Sequence, residues 1–142
     1  MFNASDRIKQ YNALWREANA MYGDWAKKHG LSYYELLVVL SLTEADGVCK
    51  QKDICAQWLP PKQTVNTILK NFLSRGWVQL TPCGDDRRNK AIHLTGSGRE
   101  SLGAVAAELQ EHECSVLSKL GEERAGELIR ITALYNTFFK GD

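Results

Sequence analysis

The sequence predicts a mainly α-helical domain with one small β-hairpin past its middle, and three observations predict it. Apolar residues recur at three- and four-residue spacing along most of the chain, as they do on one-sided helices. Two short stretches, Trp77-Val78-Gln79-Leu80-Thr81 and Ala91-Ile92-His93-Leu94-Thr95, alternate with period two instead. Glycines or a twin proline stand at the junctions between these patterns. A length of 142 residues suits a single domain, 1–142, with a central core at 31–95 between helical flanks at 1–30 and 96–142.

The elements follow in order. From Ser5 to His29, Ile8, Tyr11, Leu14, Trp15, Ala18, Met21, Tyr22 and Trp25 form one helical stripe. Lys27-Lys28-His29 places cations in its last turn, and Gly30 suits a left-handed cap. Ser32-Tyr33-Tyr34-Glu35 has the spacing of a capping box and opens a second helix running toward Gly47. The crowded run Leu36 to Leu40, with Leu42, predicts that this helix is buried on most sides. A short helix at about 51–58 then stops at Pro60-Pro61. The next helix, about 61–75, carries Val65, Ile68, Leu69, Phe72 and Leu73 on one stripe and ends at Gly76. The two alternating stretches flank a polar, turn-rich loop at 82–90, which predicts a hairpin with a long charged tip. Ser97-Gly98-Arg99-Glu100 has capping-box spacing and starts a helix bearing Leu102, Val105, Ala106, Leu109 and Val116. Gly121 breaks it, and Glu122-Glu123 opens a last helix with Ala125, Leu128, Ile129, Ile131, Leu134, Tyr135, Phe138 and Phe139.

Composition narrows the function classes. Hydrophobic residues at 44% and charged residues at 25% are ordinary globular values. The longest apolar run, Leu36 to Leu40, is far below the roughly 18 residues that span a bilayer. The N-terminal residues contain no apolar signal core, and Cys49, Cys55, Cys83 and Cys114 form no CxxC pair. The expectation is a cytoplasmic domain with reduced thiols and no membrane partner. His29, His93 and His112 lack a nucleophile and acid at matching spacing, and no glycine-rich phosphate loop is present. Neither enzyme activity nor a cofactor is expected.

The net charge of +1 conceals a division. Between Lys50 and Leu94 eight Lys or Arg face three Asp, whereas the rest of the chain carries ten basic and fourteen acidic residues. A basic middle between acidic flanks suits an element that meets a polyanion on a scaffold that does not. On the helix after the twin proline, the direction opposite the apolar stripe carries Gln63, Thr67, Lys70 and Ser74, with Thr64, Asn66 and Asn71 beside them. Amides, hydroxyls and a lysine, with no acid, are groups that read base edges in a DNA major groove. A short helix, a tight turn, a second helix with such a face and a following hairpin make a winged helix-turn-helix.

Residues 31–98 resemble the MarR family of bacterial transcriptional regulators, and the outer helices extend the likeness over nearly the whole chain. The resemblance rests on Lys52-Asp53-Ile54-Cys55-Ala56, Lys62-Gln63-Thr64-Val65-Asn66, Leu73-Ser74-Arg75-Gly76-Trp77-Val78 and Asp86-Arg87-Arg88. It closes on Ile92-His93-Leu94-Thr95-Gly96-Ser97-Gly98, similar to that family's leucine-threonine-x-x-glycine ending. It implies a homodimer on near-palindromic double-stranded DNA, commonly a repressor released by a small aromatic or other effector. It also implies that Gln63, Thr64, Asn66, Thr67 and Lys70, with neighbouring Lys62, serve the recognition helix. Arg88 and Arg87 would enter the minor groove from the wing, steadied by Asp86, and Lys52 and Lys90 would meet phosphates. The chain departs from the family pattern at Leu59-Pro60-Pro61, where a small polar cap is usual.

The outer helices leave Trp15, Tyr22 and Trp25, and Leu128, Leu134, Tyr135 and Phe138, in need of cover, which a second copy would provide over about 2,000 Å². Other readings stay open beside this one. The basic face could serve a protein or RNA partner. Glu111-His112-Glu113-Cys114, with His29, holds metal-capable groups, although neighbours on a helix diverge by about 100°. Cys83 in the basic loop is the best-placed thiol for redox sensing. Tyr11, Trp15, Tyr33, Tyr34 and Trp58 could line an effector site, but they serve a core equally well, so no ligand residue is singled out.

Overall fold

The computed structural model describes the chain except Asp46, Gly47, Leu59, Gly84, Asp85 and Asp142, and describes the backbone but not the side chains of Val48, Cys83 and residues 86–89. The elements are α1 (Ala4–Lys28), α2 (Tyr33–Glu44), β1 (Val48–Lys50), α3 (Gln51–Trp58), α4 (Lys62–Ser74), β2 (Val78–Cys83), β3 (Asp86–Leu94), α5 (Gly96–Leu120) and α6 (Glu122–Phe139). This is the mainly α architecture with a β-hairpin wing that the sequence predicts. The chain forms two compact units, Met1–Val105 and Ala106–Asp142.

In the first unit α2 is the centre of the core. Leu36, Leu37, Val38, Val39 and Leu42 are all buried, as the unbroken apolar run requires. Its start is a complete capping box: the Glu35 amide donates to Ser32 Oγ at 3.1 Å, and the Ser32 amide donates to Glu35 Oε1 at 2.9 Å. Ser41, buried in the same helix, donates its hydroxyl to the Leu37 carbonyl at 3.0 Å, so its burial leaves no orphaned group. Around α2 pack Ile54 of α3, Val65, Ile68, Leu69 and Phe72 of α4, and Val78, Ile92 and Leu94 of the sheet.

The end of α4 shows how sequence sets the entry to the wing. The Gly76 amide donates to Leu73 at 3.1 Å and the Trp77 amide to Phe72 at 2.9 Å, a Schellman closure. Gly76 adopts φ of 74°, a left-handed conformation that a side chain would resist. The Trp77 ring then meets Phe72 edge-on at 5.4 Å, and the Arg75 guanidinium lies 4.9 Å from the Trp77 ring centre.

Several expectations are corrected. The wing hairpin of β2 and β3 is present, but a third strand that was not expected joins it, giving an antiparallel sheet in the order β1-β3-β2. Val48, Cys49 and Lys50 pair with His93, Ile92 and Ala91. Three residues are too few to display an alternating pattern, so β1 left no periodic signal. The strands also consume most of the expected loop at 82–90, since Pro82 pairs with Lys90 and Cys83 with Asp86. Proline is tolerated there because β2 is an edge strand, whose outer side needs no amide donor. The cap of α5 is Thr95 rather than Ser97: Thr95 Oγ accepts from the Gly98 amide at 3.0 Å and donates to the Gly76 carbonyl at 2.6 Å. Leu73, expected on the buried stripe of α4, is 44% exposed.

The outer helices carry large apolar residues on their surfaces. Leu14, Trp15 and Met21 of α1 are exposed in the first unit; Leu128, Ile129, Ile131, Leu134 and Phe138 of α6 are exposed in the second. Among the described residues no helix is long and apolar enough to cross a membrane.

Candidate nucleic-acid interface

The two helices of the motif are joined by three residues, of which Pro60 is buried. Pro61 occupies the N-cap of α4 and makes no side-chain capping bond. The first hydrogen bond of the helix runs from the Val65 amide to the Pro61 carbonyl at 3.1 Å. The amides of residues 62–64 therefore project from the helix start with no side-chain acceptor from the cap, next to the exposed Lys62. Such an end is electropositive and suited to a phosphate oxygen.

Along α4, Gln63, Thr67, Lys70, Asn71 and Ser74 are exposed, and Thr64 and Asn66 are half-buried. Two hydroxyls on this face have their protons committed inward. Thr67 donates to the Gln63 carbonyl at 3.0 Å, and Ser74 donates to the Asn71 carbonyl at 2.8 Å. Each therefore offers oxygen lone pairs outward, while Lys70 and the side-chain amides supply donors. The face is mixed in donors and acceptors and carries no acid.

Between α3, α4 and the sheet lies a groove of about 580 Å³. Lys52 of α3, Lys62 and Lys70 of α4 and Lys90 of β3 all line it, with no acidic residue among its described lining. Leu69, Leu73, Leu80 and Ile92 supply its apolar surface, which accounts for the exposure of Leu73. The structure thus gathers Lys52, Lys62, Asn66, Lys70 and Lys90 into one concavity. Gln63, Thr64 and Thr67 share α4 but do not line it. Asp86, Arg87 and Arg88 belong to β3, and their side chains lie outside the described residues, as does that of Cys83.

Two groove residues were not anticipated as site residues. Gln51, the first residue of α3, donates its Nε2 amide to Oδ1 of Asn66 on α4. Fifteen residues separate the pair, and no local pattern could have announced it. Cys55 is half-buried and lines the groove. Away from the groove, His93 is half-buried, with its Nε2 2.7 Å from Thr81 Oγ across the sheet. Cys49 is half-buried, and burial, assisted by the Asp53 carboxylate, pushes its thiol up to about 11. Among the described residues, no group of three or more His, Cys, Asp or Glu is placed to hold a metal ion.

Comparison with known proteins agrees with this geometry. The MarR family model matches residues 29–89. An uncharacterized HTH-type transcriptional regulator of Bacillus subtilis, YdgG, is 29% identical over 82 residues, covering 56% of this chain and about half (54%) of its own length. The structure of NMB1585, a MarR family regulator from Neisseria meningitidis, superposes with a TM-score of 0.76 at 25% identity, covering 99% of this chain and 96% of that one. The Staphylococcus aureus MarR in complex with salicylate and kanamycin has a TM-score of 0.74 at 16% identity, covering 98% and 93%. Sequence match, element order and wing topology converge: residues 29–89 match the MarR family model, and the chain shares over nearly its whole length the winged helix-turn-helix fold of the MarR family regulator NMB1585.

Proposed function

We propose that this chain is a sequence-specific DNA-binding transcriptional regulator that acts as a homodimer in the cytoplasm and represses its targets until a small effector releases it. The observation that carries the reading is the pairing of an exposed, acid-free face on α4 with a groove lined by four lysines from three elements. In this reading α4 enters the major groove, with Gln63, Thr64, Asn66, Thr67 and Lys70 toward the bases. Lys52, Lys62 and Lys90 meet phosphates, which supplies affinity without sequence information. Arg87 and Arg88, steadied by Asp86, reach the minor groove from the tip of the wing. No step in this function is catalytic.

The exposed apolar residues of α1 and α6 support a homodimer, since a second copy would remove them from water. Two-fold pairing would set the recognition helices about 34 Å apart, one turn of DNA. An effector that alters this spacing lowers affinity because both half-sites must be reached together. The salicylate and kanamycin bound to the staphylococcal relative favour a small-molecule effector.

The test is fluorescence anisotropy with a labelled duplex from the region upstream of the chain's own gene, against a random duplex of equal length. Nanomolar affinity for the former, much weaker binding to the latter and a steep loss with salt are expected. Lys70→Ala and Arg88→Ala should each weaken binding. Equal affinity for both duplexes would refute sequence-specific binding and favour a protein or RNA partner for the same face.

A further inference from the structure

We infer that the lysine-rimmed groove between α3, α4 and the sheet is itself a ligand site for an organic anion with an aliphatic body, and that an occupant there releases DNA by direct exclusion. The site follows from the groove alone. Its consequence rests on the DNA-binding reading and goes beyond it, because the two copies need not change their spacing.

The groove combines two characters, of which DNA phosphates use one. Its rim is cationic, with four exposed lysines from three elements and no acid among the described lining. Its floor is aliphatic. Leu69 and Ile92 form a buried base, Leu80 is half-buried, and Leu73 is 44% exposed. The described lining contains no aromatic residue. Phosphate oxygens satisfy the rim but leave the floor in water. An aliphatic chain ending in a carboxylate covers both, since the chain removes apolar surface from water while the carboxylate meets ammonium groups. A neutral apolar molecule brings no counter-charge to four like charges around one cavity, and a cation is repelled. The volume of about 580 Å³ lies within the range, about 300–1,000 Å³, of sites that hold small organic molecules.

Placement makes the two partners mutually exclusive. The lysines of the rim are the same groups assigned above to phosphates and to the polar face of α4. A carboxylate among them cancels part of the charge that attracts the duplex and repels the incoming phosphates. Its body, seated on Leu73 and Leu80, occupies the space between α4 and the sheet. Ligand and duplex therefore compete for one surface, and release is a matter of mass action at the groove.

The experiment uses the full chain and octanoate, with 1-octanol as the uncharged counterpart and acetate, at equal concentration, as the anion without a body. Calorimetry in the absence of DNA should show octanoate binding, and much weaker binding of octanol and acetate. Octanoate should also raise the Tm; a fall would mark it as a denaturant and overturn the proposal. Leu73→Gln, at an exposed position outside the core, should weaken octanoate about tenfold, as expected when one apolar wall turns polar. Lys90→Gln should weaken it as well by removing one charge from the rim. In anisotropy with the labelled upstream duplex, the apparent Kd for DNA should climb with octanoate without levelling off. A plateau would place the ligand at a remote site and overturn direct exclusion. Absence of octanoate binding, unchanged octanoate affinity in both variants, or octanol matching octanoate would overturn the site itself. If octanoate bound as described and the protein preferred no duplex over another, the groove would stand while the sequence-specific DNA reading fell.

Discussion

Among the described glycines, Gly98 tolerates an added side chain least. A Cβ built on it would sit 2.0 Å from the Trp77 carbonyl oxygen and 2.9 Å from its carbon, both backbone atoms. Non-bonded carbon and oxygen do not approach so closely, so Gly98→Ala must separate the start of α5 from the entry to β2 by about 1 Å. Two bonds are strained by that separation: the Thr95 amide to the Trp77 carbonyl at 3.0 Å, and the Gly98 amide to Thr95 Oγ at 3.0 Å. Losing the first costs about 1 kcal/mol and weakening the helix cap about another. Crowding adds roughly 1–3 kcal/mol, and alanine's better helix propensity returns about 1 kcal/mol. The net expectation is a loss of about 2–4 kcal/mol, or roughly 5–15 °C in Tm for a chain of this size. Gly103→Ala on the same helix is the matched control. Nothing lies within 4 Å of its added Cβ, so it should stabilise by about 0.5–1 kcal/mol. Thermal and urea denaturation of both variants, at one fixed protein concentration, checks the pair. A Gly98→Ala protein that melts with wild type or above it would refute the close-contact account.

Other outcomes follow from the same geometry. Lys52→Ala should weaken binding to all duplex sequences to a similar degree and reduce the salt slope by about one for each bound protomer, measured by anisotropy across a salt series. Ser32→Ala removes one half of the capping box on α2 and should cost about 1 kcal/mol in urea unfolding. At pH 8 Cys49 should resist iodoacetamide in the native protein while the exposed Cys114 reacts, as peptide mass spectrometry would show. Because the folded value of about 11 lies above the ordinary 9.0, Cys49 favours the folded chain below pH 9, and that contribution fades as the pH rises toward 11. Leu128→Glu on the exposed apolar surface of α6 should shift the sedimentation mass toward a single chain if that surface meets a second copy.

Helices were legible where the sequence carries strong local signals. Apolar stripes placed α1, α4, α5 and α6 within a few residues, because one-sided burial writes itself into apolar spacing, while the crowded run of α2 and the twin-proline stop after α3 placed the other two. The capping box at Ser32 and the glycine stop at Gly76 were equally local. What escaped depends on distant partners. β1 is a strand only because β3 lies beside it, and Val48-Cys49-Lys50 has no pattern of its own. Thr95 replaces Ser97 as the cap of α5 because its hydroxyl also reaches Gly76, nineteen residues earlier. Leu73 fits the stripe on a helical wheel, but the groove reaches it before the core does. On the interface, the basic and polar residues of α3 and α4 could be listed from charge and helical phase alone. That Lys90 joins Lys52 across the groove depends on how the sheet packs, and that Gln51 holds Asn66 depends on two helices meeting.

The three-residue strand has a mechanical consequence. Lys50 ends β1 and Gln51 begins α3 with nothing between them, and the Lys50 amide donates to Asp53 Oδ2 at 3.3 Å across that joint. β1 is stitched to β3, the same strand whose far end forms the wing. The wing strands and the helix pair thus share one stiff hinge leaf instead of hanging from separate tethers. A push delivered at the tip is felt at the root of the helix pair, so a ligand that tilts either part tilts both.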